Sequence, residues 1–396
     1  MKKVGIVTLN GGTNYGNKLQ NYALQAVLLS LGYEPLTLQN RVTKGIGVGA
    51  QDTAAPTGWK RYRYAARCRL HYRFHLKNTK TGLITDGLYA LVHRAEIRRA
   101  QQKRMDAFAA FERESLRFAP EAIEDEAASG LNLESYGAFI SGSDQVFNPT
   151  YRFTSGVSFL QFAPMEKRIA YAPSFGVAEI PQTLAAQYAA WLSSFAALSV
   201  REEQGARLIA QLCGRQAPVV ADPTMLLSAA QWREFARKPE NVPQKRYVLT
   251  YFLGDIDRRY WKAICALAEK RGCEIVNLLD IKQPQYYTAD PRAFVYLIEH
   301  AEYVCTDSYH GTVFAAMLER PFTVFERMDE DGNMTSRFQT LFHELGLRER
   351  IFCGHADFGE LPPYAIREKL DALRRESLCY LQQALARSAQ KGTKTE

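Results

Sequence analysis

The chain lacks the features that mark several large protein classes. It opens on no long apolar run: Met1-Lys-Lys is followed by a short apolar stretch, Val4 to Leu9, and then by Asn10-Gly-Gly. That is too short for a secretory core or a bilayer span, so a cytoplasmic protein is expected. Its seven cysteines, at 68, 213, 265, 273, 305, 353 and 379, are odd in number and contain no C-x-x-C pair. They read as reduced, mostly buried small residues rather than a disulfide frame or a zinc site. The seven histidines form no H-E-x-x-H group. Only His71 and His75 stand four apart; Arg73 lies between them with no carboxylate nearby, so no metal is expected. The glycines of the loop Asn10 to Asn17 fall at 11, 12 and 16, which excludes a G-x-G-x-x-G dinucleotide fingerprint. The loop is read instead as a site for an acceptor hydroxyl or an anion.

With 396 residues, 46% of them hydrophobic, the chain can bury a large core, and its length favours two or more domains. Charge is concentrated. Between Thr57 and Phe118 stand 15 Lys and Arg against 5 Asp and Glu, an excess larger than the net +8 of the whole chain. Within that segment, residues 59–74 interleave cations with aromatic side chains. This is either a solvated helical face or a surface for an anionic membrane or a diphosphate-linked glycan. No nucleic-acid module accompanies it, so no nucleic acid is expected as a partner.

The rest reads as repeated strand, loop and helix units. Val4 to Leu9 opens as a strand, and Lys18 to Leu31 follows as a helix closed by Gly32. Further strands are expected at Gly137–Ile140, Arg168–Ala172, Leu198–Val200, Pro218–Ala221, Tyr247–Leu253, Glu274–Leu279, Tyr303–Thr306 and Phe322–Phe325. The polar, proline-containing stretch from Phe235 to Arg246 reads as a linker. The expected fold is α/β: an N-terminal domain over 1–235 with a basic insertion at about 41–130, and a C-terminal domain over 246–350. A C-terminal segment, 351–396, carries apolar residues at 366, 370, 373, 381 and 385, a stripe suited to one buried helical face. It ends in a tail expected to fray beyond Arg387. In such sheets ligands bind beyond the carboxyl ends of strands, so the two domains should face one cleft.

The most informative stretch is Glu302-Tyr-Val-Cys-Thr-Asp-Ser-Tyr-His310-Gly-Thr. A short apolar run ends at Thr306, and Asp307 and Ser308 are good N-cap residues before a helix-compatible run. His310 therefore sits at a helix N-terminus, where unpaired N–H groups and the helix dipole favour anions. The plainer alternative is a capped turn carrying an exposed histidine.

Asp307-Ser-Tyr-His-Gly-Thr resembles the signature of the polysaccharide pyruvyl transferase family. Other family-like segments follow in the expected order along the chain: Ser141-Gly-Ser-Asp-Gln-Val-Phe-Asn-Pro149, Tyr171-Ala-Pro-Ser-Phe-Gly176, Ser199-Val-Arg-Glu202, Asp222-Pro-Thr-Met-Leu-Leu227 and Asn333-Met-Thr-Ser-Arg-Phe338. The resemblance implies two doubly wound Rossmann-like domains in a GT-B-like arrangement. It also implies transfer of the enolpyruvyl group of phosphoenolpyruvate onto two hydroxyls of a sugar in a polysaccharide or lipid-linked precursor, giving a pyruvate ketal and phosphate. No cofactor is expected, because phosphoenolpyruvate is the donor substrate.

The resemblance carries Arg201 over as the donor-holding arginine, with an ion pair to Glu202 or Glu203 as the structural alternative. His310 is carried over as the general acid and base. Asp144 suits a proton acceptor or an orienting group for a hydroxyl, and equally an N-cap. Substrate contacts are expected from Asn14, Asn17, Ser143, Asn148, Ser174, Ser308 and Arg337, while Asp222-Pro-Thr is read as a structural strand end. Two other readings stay open: a GT-B glycosyltransferase using a nucleotide-sugar, with Glu319 or Glu326 near the ribose, and a non-catalytic glycan- or anion-binding module.

Overall fold

The computed structural model describes residues 1–42, 45–47, 89–124, 127–128, 130–151, 153–327, 335–357, 359–361 and 363–391. The basic aromatic stretch 59–74, Cys68, the pair His71 and His75, and residues 333 and 334 of the last family-like segment lie outside the described residues.

The first sheet has six strands: β1 (Lys2–Val7), β2 (Tyr33–Asn40), β3 (Phe118–Ile123), β4 (Tyr136–Ser141), β5 (Arg168–Ala170) and β6 (Ala197–Leu198). Their order is β3-β2-β1-β4-β5-β6, with every pair parallel. This is the 3-2-1-4-5-6 order of the doubly wound fold. The second sheet has β7 (Tyr247–Tyr251), β8 (Glu274–Asn277), β9 (Tyr303–Thr306) and β10 (Phe322–Val324), in the order β10-β9-β7-β8 and again all parallel. Central strands such as β9, Tyr-Val-Cys-Thr, are buried throughout, as expected of parallel strands covered on both faces.

Two strands differ from the sequence expectation by being present. β2 carries Pro35 and β3 carries Pro120, which lowered their strand character; β3 lies at the sheet edge, where a missing N–H is tolerated. A third differs by being absent. Pro218 to Ala221 forms no strand and contributes only a single parallel bridge, Val200 to Val219. The first helix also begins earlier than its apolar pattern suggested, because Asn14 caps it: α1 runs Tyr15–Ser30, and Asn14 accepts from the N–H groups of Gly16 and Asn17.

The remaining helices are α2 (Arg94–Ser115), α3 (Gln182–Ser193), α4 (Glu203–Cys213), α5 (Ala229–Phe235), α6 (Arg258–Lys270), α7 (Pro284–Tyr287), α8 (Pro291–Glu299), α9 (Tyr309–Met317), α10 (Thr335–Leu345) and α11 (Pro363–Lys391). Helix α11 starts against the second lobe and ends over the first. Arg367 pairs with Glu319, whereas further along Ser377 accepts from Ala221 N–H, Tyr380 donates to Ala170 O and Ser388 to Gly137 O. Of its apolar stripe, Ile366, Leu370, Leu381 and Leu385 are buried. The helix continues to Lys391 rather than fraying at Arg387, held by the Ser388 bond. Two parallel α/β lobes joined by a returning C-terminal helix make this a GT-B-like fold.

The lobes are packed against each other, not only linked. One apolar cluster contains Tyr15 and Leu19 of α1 together with Phe294 of α8 and Phe314 of α9. Tyr15 stacks on Phe294 with ring centroids 4.3 Å apart and donates to Ala289 O at 2.9 Å. Buried Arg104 of α2 bridges the same junction, donating to Tyr15 Oη, to Thr13 O and to Tyr287 O.

Candidate active site

Four of the loops that hold the expected site residues leave carboxyl ends of strands. Asp144 follows β4, Ser174 follows β5, Arg201 follows β6 and His310 follows β9. The chain reversals in strand order fall between β1 and β4 in the first sheet and between β7 and β9 in the second. Ligand crevices of doubly wound sheets open at such points.

Asp222 is the hub. Fully buried, it accepts from Arg201 Nη1 at 2.8 Å and Ser143 Oγ at 2.9 Å through Oδ2, and from Thr224 Oγ1 at 2.7 Å and Thr224 N–H at 3.0 Å through Oδ1. His310 Nε2 lies 3.4 Å from the same Oδ2. Burial pushes the Asp222 carboxyl up, but His310, Arg201 and the Thr224 N–H outweigh it and hold the group well below the ordinary carboxylate range. The sequence reading of Asp222 as a strand end was incomplete, since it is both the cap of the turn Pro223–Leu226 and the partner of three expected site residues, Arg201, Ser143 and His310. An Asp before Pro has a sufficient local explanation, which hid its second role.

Arg201 pairs chiefly with Asp222 and Asp144, the latter at 3.4 Å; Glu202 is more distant at 4.0 Å. Its guanidinium also lies over the Tyr309 ring at 4.5 Å. Burial lowers its basicity, but Asp144 and Asp222 outweigh this, so it stays cationic. Glu203, the other partner weighed for Arg201, instead faces outward toward Arg207 and His343.

Asp144 occupies the left-handed region at φ 66° and accepts from its neighbour Gln145 N–H. Its backbone O takes the Ser174 N–H, tying the β4 and β5 loops together. Gly176, at φ 67°, has no room for a Cβ, which would lie 2.1 Å from the Gln145 side chain. Arg337 of α10 enters from the second lobe. It is buried, forms no ion pair among the described residues, and is pushed down by burial and by Arg201. The Gln145 amide lies between Asn148 Nδ2 and this guanidinium; with its oxygen turned toward Arg337 it accepts from both Nη atoms at 3.1 and 3.2 Å.

The other expected contacts divide. Asn17 heads α1 half-buried, with its side chain free of protein partners among the described residues. Asn14, Ser308, Ser143, Ser174 and Asn148 are engaged: Asn14 and Ser308 cap α1 and α9, Ser143 holds Asp222, Ser174 donates to Glu202, and Asn148 accepts from Thr150. Asp307 receives the N–H groups of Leu253 and Gly254 and the Arg327 guanidinium, fixing the β7 loop beneath His310. Glu319 pairs with Arg367 and Glu326 is exposed.

Residues to which the sequence reading gave no site role of their own also shape the site. Glu202 is buried, with Oε1 accepting from Ser174 Oγ at 2.9 Å and Phe175 N–H at 3.0 Å. Gly16 packs its backbone flat against His310: a Cβ there would lie 2.0 Å from the imidazole Nδ1. Four buried polar atoms in this cluster, His310 Nε2, Arg201 Nε, Glu202 Oε2 and Arg337 Nε, have no hydrogen-bond partner among the described residues. Such atoms are costly unless something polar meets them, and two of them belong to guanidiniums suited to carboxylate or phosphate. A grouping of metal-type donors among the described residues, Glu203, His343 and Glu344, lies at the surface with Glu203 and His343 exposed. No helix among the described residues is long and apolar enough to cross a membrane.

Solved structures similar to this chain include a putative UDP-N-acetylglucosamine 2-epimerase from Listeria monocytogenes, with TM-score 0.42 and 13% identity over 96% of this chain and 91% of that one. Another is UDP-GlcNAc 2-epimerase from Neisseria meningitidis bound to UDP-GlcNAc, with TM-score 0.39 and 10% identity over 96% and 100%. A third is the E. coli ADP-heptose LPS heptosyltransferase II, with TM-score 0.34 and 12% identity over 95% and 99%. Among curated proteins none matches the chain in sequence. The family model for polysaccharide pyruvyl transferase matches residues 14–329, a span that contains Asp144, Arg201, Asp222 and His310 but stops short of Arg337. The chain belongs to the polysaccharide pyruvyl transferase family.

Proposed function

We propose that the protein transfers the enolpyruvyl group of phosphoenolpyruvate onto two hydroxyls of a sugar in a polysaccharide or lipid-linked glycan precursor, forming a pyruvate ketal. The observation that carries this reading is the meeting of His310 and Arg201 on one carboxylate, Asp222, with the Arg337 guanidinium, which forms no ion pair among the described residues, in the same buried cluster. A titratable imidazole beside two guanidiniums suits a small donor bearing both a carboxylate and a phosphate.

In this reading Arg201 and Arg337 hold the donor anions. His310 gives a proton to the methylene carbon, and the double-bond electrons form the new C–H bond. The adjacent carbon becomes electron-poor, and one sugar oxygen bonds to it while that hydroxyl's proton returns to His310. The C–O bond to phosphate then breaks with its electron pair leaving on phosphate, and the second hydroxyl closes the ring, its proton leaving with the phosphate. Asp222 keeps the imidazole oriented. In this reading Asp144 and Asn17 orient the acceptor hydroxyls. No cofactor takes part, and the acceptor is met at the cytoplasmic face of the membrane through the basic stretch 59–74.

Thermal stabilisation tests the donor, because a ligand that binds only the native state raises its apparent stability. Phosphoenolpyruvate is expected to raise the melting temperature of the native chain but not of Arg201→Lys, while nucleotide-sugars have no effect. Stabilisation by a nucleotide-sugar alone would move the assignment to glycosyl transfer. Neutralising the Arg residues from 61 to 73 is expected to weaken sedimentation with anionic vesicles, and unchanged sedimentation would remove the membrane contact.

A further inference from the structure

In the buried cluster three carboxylates, Asp144, Asp222 and Glu202, stand against two guanidiniums, Arg201 and Arg337. The remaining local pair, Arg327 with Asp307, is balanced in itself. Even with His310 protonated, the described residues of the cluster carry no surplus positive charge for an incoming oxyanion. Bringing a multiply charged anion into such a site unassisted is strongly disfavoured, since screening is weak in a buried environment.

Glu202 is the carboxylate placed to resolve this. Asp222 is saturated, with donors on both oxygens. Asp144 is still partly reached by solvent. Glu202, by contrast, is 1% exposed and asymmetric. Ser174 and the Phe175 N–H, from the loop after β5, hold Oε1, whereas Oε2 has no hydrogen-bond donor among the described residues and only Arg201 Nε near it, 4.0 Å away. The groups facing it are Arg201 from its own segment, 4.0 Å away, Arg337 from α10 and Tyr309 from α9. An unpartnered carboxylate oxygen in that position repels an anion held by Arg201 and Arg337, while a carboxylic O–H at the same place donates to it. Burial, only partly opposed by Arg201 and Arg337, already pushes this carboxyl above its ordinary range.

We propose that Glu202 is the proton-accepting counter-charge of the donor site, taking up a proton from solvent when an oxyanion settles against Arg201 and Arg337 and releasing it when the anion leaves. This rests on the reading of the cluster as an anion site, and makes Glu202 a positioning residue that acts through the two arginines. Product phosphate would then be expelled by the same carboxyl as it ionises.

The test is isothermal titration calorimetry of the full chain with sulfate, an oxyanion that does not titrate near neutrality, in two buffers of different ionisation heat. Native protein is expected to take up more protons per sulfate bound than Glu202→Gln. Its sulfate affinity should fall by up to about tenfold per pH unit once Glu202 ionises in the empty site, whereas Glu202→Gln should stay flatter over the same range. Ser174→Ala, which removes a donor from Oε1, should move the uptake to higher pH. Equal proton uptake in native protein and Glu202→Gln overturns the proposal, as does a native protein that binds no sulfate. If sulfate binds with proton uptake but phosphoenolpyruvate does not bind, the donor assignment fails and the role of Glu202 stands.

Discussion

His310 Nε2 lies 3.4 Å from Asp222 Oδ2, and the two residues come from different lobes. His310 heads α9 beyond β9 of the second sheet, while Asp222 caps the turn Pro223–Leu226 that follows the first. The imidazole therefore has its carboxylate only when the lobes are docked. Docking is held by groups outside the pair: the Tyr15 and Phe294 stack, and Arg104 reaching Tyr15 Oη and the Thr13 and Tyr287 carbonyls. The pairing of His310 with Asp222 and the packing of the lobes are one structural property in this protein.

Replacing His310 by Ala should separate chemistry from folding. Turnover is expected to fall by roughly 100- to 10,000-fold, the usual contribution of a positioned acid–base group. The melting temperature should change little, because Arg201, Ser143 and Thr224 still satisfy Asp222. Phosphoenolpyruvate should still stabilise the variant through the arginines. A fully active His310→Ala protein would sink the mechanism.

Arg201 is expected to behave differently, because it is structural as well. Arg201→Ala leaves Asp222 buried with half of its cationic partners gone, and breaking a buried pair from one side costs about 3–5 kcal/mol. Urea unfolding should show that loss. Arg201→Lys keeps the charge but cannot reach Asp222 and Asp144 together with a planar fork. It should recover part of the stability while the concentration of donor needed for half-maximal rate remains raised.

Gly16 offers a test that touches no charged group. A Cβ at this position would lie 2.0 Å from His310 Nδ1, so Gly16→Ala must displace either the imidazole or the start of α1. Overpacking of this kind costs about 1–3 kcal/mol. The expected result is a folded protein by circular dichroism with turnover reduced well beyond what the lost stability explains. Gly11→Ala, where the added atom meets open space, should be unaffected.

Much of this fold is legible in the sequence because parallel strands covered on both faces leave continuous apolar runs, as at Val4–Val7 and Tyr303–Thr306. Strand β3 is not, since Phe-Ala-Pro-Glu-Ala-Ile keeps neither alternation nor an unbroken run and is held by the β2 edge. His310 and Arg201 are legible because each follows a strand within a family-like segment. Asp222 and Glu202 are not, for a different reason. Each has a sufficient local explanation, a cap before proline and a neighbour for Arg201, and what separates function from that explanation is contact with residues far along the chain, such as Ser174 with Glu202 and Ser143 with Asp222. The contact of His310 with Asp222 exists only after the two lobes have folded and met.

The two buried carboxylates should also part company in how they tie stability to pH. Asp222 is held below its ordinary range, so the stability it contributes is present above the ordinary Asp value of 3.8 and is lost only as pH falls through its lowered value. Glu202 is raised above its ordinary 4.5. Between that value and the raised one the folded chain holds a proton that the unfolded chain has released, so stability falls as pH rises. Urea unfolding from pH 4.5 to 8 is therefore expected to show the native protein losing stability relative to Glu202→Gln, by at most about 1.4 kcal/mol per pH unit, until the raised value is passed. Over the same interval the difference between native protein and Asp222→Asn should stay constant, since Asp222 is ionised throughout. A flat difference for Glu202→Gln would mean that Arg201 and Arg337 fully offset the burial of Glu202, and a sloping one for Asp222→Asn that His310, not Asp222, is the group changing charge in the pair.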